Sequence, residues 1–156
     1  MSTEEQQEPQ QLSEEAIEYA RQFFDAARRG DVAFMEEPLK AGLPANLTNS
    51  SGDTLIMLAA YHGHPEAVSL LLKHGADPNR LNDRGQSPLS GAVYKNEEAV
   101  RLNVIEALLA GGANPFLGNP NAWVSAKMFG QKKWEERFEQ TRKLDGDQQQ
   151  NSTMAA

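Results

Sequence analysis

His62 and His64 stand two residues apart, a spacing that could suggest a metal pair. Zinc needs three or four ligands gathered together, and no third or fourth ligand of the usual kind is clustered near them. The chain contains no cysteine, which removes thiolate metal sites and disulfides and suits a reducing compartment. Gly111-Gly112-Ala113-Asn114 is glycine-rich, but it lacks the Lys-Ser/Thr pair of a phosphate loop and follows no strand pattern. Its expected role is to stop a helix. No serine lies in a nucleophile-elbow sequence, and no two groups offer themselves as general acid and base. Asn-x-Ser/Thr sequons begin at Asn46, Asn49 and Asn151; with no secretory signal before them they are expected to be chance occurrences. The expectation is therefore a protein that is not an enzyme and holds no cofactor and no metal.

Two further groups of residues bear on binding. Lys132, Lys133, Arg137, Arg142 and Lys143 crowd the stretch 131–143, where Trp134 and Phe138 lie four apart. That pattern predicts an amphipathic helix with a basic, solvated outer face. The net charge is −7, yet six acidic residues precede residue 19 and two follow residue 144. The remaining body has 14 acidic against 15 basic side chains, not the basic excess of a general nucleic-acid binder. No stretch approaches the roughly 20 apolar residues of a membrane span, so neither nucleic acid nor membrane is an expected partner.

The elements that position these residues emerge from a repeat. Leu72-Lys73-His74-Gly75-Ala76-Asp77-Pro78-Asn79 echoes Leu39-Lys40-Ala41-Gly42-Leu43-Pro44-Ala45-Asn46 at an offset of 33. The same offset of 33 carries Gly30 to Gly63, Gly52 to Gly85, Ala59 to Ala92 and Tyr61 to Tyr94. A third copy, Leu109 to Pro115, falls 37 residues after the second, so four residues have entered that unit. Four residues are close to one turn of α-helix, about 3.6 residues. The extra turn is expected in the outer helix of the third unit, near Asn96 to Asn103, with Asn96 as its cap.

Within a unit, Ala59-Ala60 and Ala92 are small enough for inner helices to lie close together. Gly63 stands where a helix end wants φ > 0, and Pro65 suits the first turn of the next helix. Val68, Leu71 and Leu72 then form one apolar stripe. Pro38 falls inside the outer helix of the first unit and predicts a short or kinked element. Trp123, Phe129, Trp134 and Phe138 are expected to bury the last face of the stack.

The run Gly52-Asp53-Thr54-Leu55-Ile56-Met57-Leu58-Ala59-Ala60-Tyr61-His62-Gly63-His64-Pro65, continuing through Leu70-Leu71-Leu72 to Gly75-Ala76-Asp77, resembles the ankyrin repeat. The resemblance covers about 130 of the 156 residues. It implies an all-α solenoid of about four helix-turn-helix units with short hairpin fingers. The domain is expected at 13–144, with units near 16–46, 47–79, 80–118 and 119–143. Residues 1–12, rich in Glu and Gln, and residues 145–156, rich in Gln and Asn, are expected to be disordered polar tails. The family's usual Thr-Pro-Leu-His becomes Thr54-Leu55-Ile56-Met57 and Ser87-Pro88-Leu89-Ser90. The missing histidine removes a bond that the family uses to tie helix to finger, which implies looser fingers.

The resemblance also implies where a partner would sit: on finger tips and the exposed ends of inner helices. Carried over residue by residue, the fingers offer Asn49, Ser50, Ser51 and Asp53, then Asn82, Asp83, Arg84 and Gln86. The helix ends offer Arg28 and Arg29, then Tyr61 and His62, then Tyr94 and Lys95. Tyrosine and arginine are common at binding hot spots, and the four bases there against two acids favour an acidic partner segment. The expected function is a non-catalytic adaptor, scaffold or chaperone-like holder for another protein, acting as a monomer in the cytoplasm, or also the nucleus of a eukaryote. The alternative is a regulatory subunit or sensor controlled by docking of the acidic N-terminal tail.

Overall fold

In the computed structural model, which describes residues 13–94 and 97–154, the chain forms a stack of paired helices. They are α1 (Glu14–Arg29), α2 (Val32–Lys40), α3 (Leu55–Tyr61), α4 (Pro65–Lys73), α5 (Pro88–Val93), α6 (Glu98–Ala110), α7 (Ala122–Met128) and α8 (Lys132–Met154). Each inner helix starts on a side-chain cap. Ser13 Oγ accepts from the Ala16 amide at 3.2 Å, Thr54 Oγ1 from Met57 at 3.2 Å and Asn121 Oδ1 from Val124 at 2.8 Å. Ser87 and Ser90 cap each other reciprocally, each Oγ accepting the other's amide at 3.1 Å. Ser90 stands where the family has its histidine, and this box replaces the missing bond at the helix start.

The inner helices α1, α3, α5 and α7 pack in one row and the outer helices α2, α4 and α6 in a second. Ala26, Ala27, Ala59, Ala60, Ala92 and Ala126 are fully buried between the inner helices, where a larger side chain would push the row apart. Val68, Leu71, Ile105 and Leu108 close the core from the outer row. His64 ties the first unit to the second: its Nε2 lies 2.8 Å from the Arg28 carbonyl. Gly30, at φ +69°, is the place where this contact admits no side chain, because a Cβ there would reach 2.5 Å from the His64 ring. The two-histidine pattern is thus divided, with His64 turned inward as an inter-unit strut.

Several expectations need correction. The inserted residues do lengthen α6, which has 13 residues where α4 has 9. Its cap, however, is Glu97, which makes no side-chain capping bond, and not Asn96, which lies outside the described residues. Pro38 does not shorten α2, whose 9 residues match those of α4. Proline forfeits one helical donor, but Ala41 donates to Glu37 O at 2.9 Å and Leu43 to Pro38 O at 2.9 Å, so the end still closes.

At the far end, Trp134 and Phe138 are buried as expected, Trp123 is half-buried, and Phe129 is 50% exposed. Phe129 follows the last residue of α7, past the face that α8 covers. The final helix also does not stop at Leu144, where composition places the end of the folded part; its backbone stays helical to Met154. Lys143 to Asp147 are all exposed, so this part of the helix adds nothing to the core.

Candidate functional site

The fingers between the helices are built by asparagine. Asn49 Oδ1 accepts the amides of Ser51 and Asp53, both at 3.0 Å, and folds the first finger into a tight hairpin. One period later Asn82 Oδ1 accepts the amides of Arg84 at 3.0 Å and Gln86 at 2.9 Å. Neighbouring fingers are joined: Asn82 Nδ2 donates to Asp53 Oδ1 at 2.8 Å, and the Asp83 amide to Ser51 O at 3.1 Å. Asn49 and Asn82, which the resemblance places among partner-facing finger residues, here build the fingers. Asn82 is buried.

Beside these fingers a groove of roughly 500 Å³ runs between α3 and α5. Its finger side is Asp53, Arg84 and Gln86; its helix-end side is Arg28, Tyr61, His62 and Tyr94. Its floor is Met57 and Leu58 from α3, with Ser90 and Gly91 from α5 and Ser87 at its N-cap. Tyr61 and Tyr94 are 53% and 44% exposed, although large aromatic rings are ordinarily covered. The Tyr61 and His62 rings meet edge to face at 5.2 Å. The charges differ in their engagement. Arg28 Nη1 holds Asp25 at 2.7 Å, and the Asp53 carboxylate accepts from both Asn82 and Asn49 side chains. The Arg84 guanidinium has no partner among the described residues.

Of the residues singled out from sequence, Arg28, Asp53, Tyr61, His62, Arg84, Gln86 and Tyr94 line this one groove. Arg29 does not; it points toward Asp31, 3.8 Å away. Ser51 stays at the finger tip, where its carbonyl joins the next finger. Lys95 lies outside the described residues. The floor residues escaped sequence reasoning because they stand in the buried run of each inner helix and resemble core. Phe129 was missed for a different reason. Its ring packs edge to face on Tyr94 at 4.9 Å, continuing the line of exposed aromatics beyond the groove. The signal was present: Gly130 follows Phe129 as Gly63 follows His62, which places Phe129 at the His62 position of its unit.

The basic residues of the cap helix are largely engaged. Arg137 grips Glu106 with two bonds of 3.1 Å, Lys133 lies 4.0 Å from Glu98, and Arg142 stacks on Phe116 at 3.8 Å. Among the described residues no group of three His, Asp or Glu could hold a metal, and no helix is long and apolar enough to cross a membrane.

A family model for ankyrin repeats, in three copies, matches residues 23–119. The chain belongs to the ankyrin-repeat family. It is 48% identical over 60 residues to a Pseudomonas aeruginosa protein described as an ankyrin repeat protein, covering 38% of this chain and 35% of that one. It is 36% identical over 104 residues to the human NAD-capped RNA hydrolase, covering 65% of this chain but 22% of the hydrolase. The chain thus spans about a third or less of the length of these relatives. The human ASB11 ankyrin repeat domain shares the fold, with a TM-score of 0.55 at 24% identity over 60% of this chain and 40% of that one. Ankyrin repeats generally mediate protein–protein interaction. The groove between α3 and α5 is the candidate site for one.

Proposed function

We propose that this ankyrin chain is a non-catalytic adaptor, scaffold or chaperone-like holder that docks a partner protein on its concave face. The observation that carries the proposal is the convergence of seven residues singled out from the sequence on one groove, beside two half-exposed tyrosines. Aromatic side chains bring large apolar area at low entropic cost, and an unengaged arginine offers a charged anchor. The chain acts as a monomer in the cytoplasm, with nuclear entry open in a eukaryotic host.

The test is a paired capture from lysate of the source cell. The bait is the wild-type chain or a Tyr61→Ala, Arg84→Glu, Tyr94→Ala variant shown by circular dichroism to be folded. A protein held by the first and lost by the second supports the concave face. Equal capture by both rejects it. A chain starting at Ser13 separates the alternative, regulation by the acidic residues before it, since that reading requires the shortened chain to bind the partner more tightly.

A further inference from the structure

The groove has an opening that the repeat pattern does not call for. Leu58, Gly91 and Ser125 occupy one register, each three residues before Tyr61, Tyr94 and Met128 respectively. In α3 that position is a leucine, 8% exposed, whose side chain fills the space beside the inner row. In α5 it is a glycine within the helix. Glycine weakens a helix relative to alanine, so its presence asks for a reason. The backbone does not supply one, because Gly91 has no positive φ. Crowding does not supply one either: a Cβ at Gly91 would lie 3.6 Å from Tyr61 Cβ and Cδ2, an ordinary contact. With no side chain at Gly91, the groove floor lacks there the leucine of the preceding unit, which leaves a slot beside Tyr61.

Building on the concave-face reading, we propose that this slot takes one large apolar side chain, Phe, Leu or Met, from an extended peptide segment of the partner. A carboxylate near that side chain pairs with Arg84. Apolar insertion follows from the floor of Met57 and Leu58 and the two aromatic walls. The acidic neighbour follows from charge. The acid in the groove, Asp53, is already held by two asparagine amides, whereas Arg84 has no partner among the described residues. A guanidinium pairs well with a carboxylate through two parallel bonds. Gly91 is thus a specificity-determining residue, and its conversion to the leucine of the preceding unit closes the slot.

The test uses random dodecapeptides displayed on phage, selected against the full chain. Wild type is expected to enrich peptides in which one Phe, Leu or Met stands beside Asp or Glu. Gly91→Leu is expected to lower that enrichment at least tenfold while leaving the thermal midpoint unchanged or higher. Gly91→Ala, whose Cβ fits at ordinary distance, serves as a second folded variant with a partial loss. Arg84→Glu is expected to keep the apolar preference and reverse the acidic one. The proposal is overturned if Gly91→Leu selects the same peptides as wild type, if the selected peptides lack a large apolar residue, or if wild type selects none. Those outcomes leave concave-face docking standing, because that reading falls only when the Tyr61, Arg84, Tyr94 variant keeps the lysate partner.

Discussion

Asn79 joins two units with both ends of its amide. Its Nδ2 donates to Gly112 O at 3.1 Å and its Oδ1 accepts from Asn114 N at 2.7 Å. Asn46 makes the matching pair one unit earlier, to Gly75 O at 3.2 Å and from Asp77 N at 2.7 Å. The bonds are exposed, so each contributes at the low end of about 0.5–1.5 kcal/mol. Asn79→Ala is expected to cost about 1 kcal/mol, read as a lower urea midpoint with an unchanged m value. His64→Ala removes the strut to the Arg28 carbonyl and is expected to cost about 1 kcal/mol in the same assay. No change in the midpoint for either variant would mean that the turns hold the units together without these side chains.

The cap helix α8 is the element whose two halves have different physics. Its first part buries Trp134 and Phe138, whose rings stack at 6.2 Å. Phe138→Ala leaves a cavity and is expected to destabilise by about 3–5 kcal/mol in chemical unfolding. The second part, beyond Leu144, carries only exposed side chains through Asp147. Deleting residues 145–156 is expected to change stability by less than about 0.5 kcal/mol. A larger loss would show that the extension packs against something. The Arg137–Glu106 fork sits at one-third exposure or more on both sides, so its contribution is of the order of 0.2–1 kcal/mol despite its good geometry.

In the molecule as a whole, each inner helix packs on its neighbours in the row and on the outer helix of its own unit, and stability is approximately a sum of units and interfaces. The central helices α3 and α5 are packed on two sides of the row, whereas α1 and α7 have an inner-row neighbour on one. Native-state hydrogen exchange is expected to show greatest protection in α3 and α5, with loss toward α1 and along α8. Uniform protection across all helices would indicate a single cooperative block instead. The groove lies over α3 and α5, the pair expected to be most protected, which suits a site that must be held in one shape to receive a side chain.

The repeat and its register were determined by the sequence alone. A period of 33, small residues on the inner helices and glycine at most helix ends are local requirements, and each leaves its mark on the residues that satisfy it. The same register located seven of the groove residues, because a solenoid turns equal spacing along the chain into one line on one face. Only the tertiary structure decided the rest. Whether Asn82 faces a partner or builds a finger depends on Asp53, 29 residues away, and whether Phe129 is core or surface depends on where α8 stops covering α7. The floor of the groove is a matter of what is absent: Gly91 means a slot only once the Tyr61 ring is seen beside it. Contacts between units are set by packing in three dimensions, and a one-dimensional pattern records the residue types without recording which of them meet.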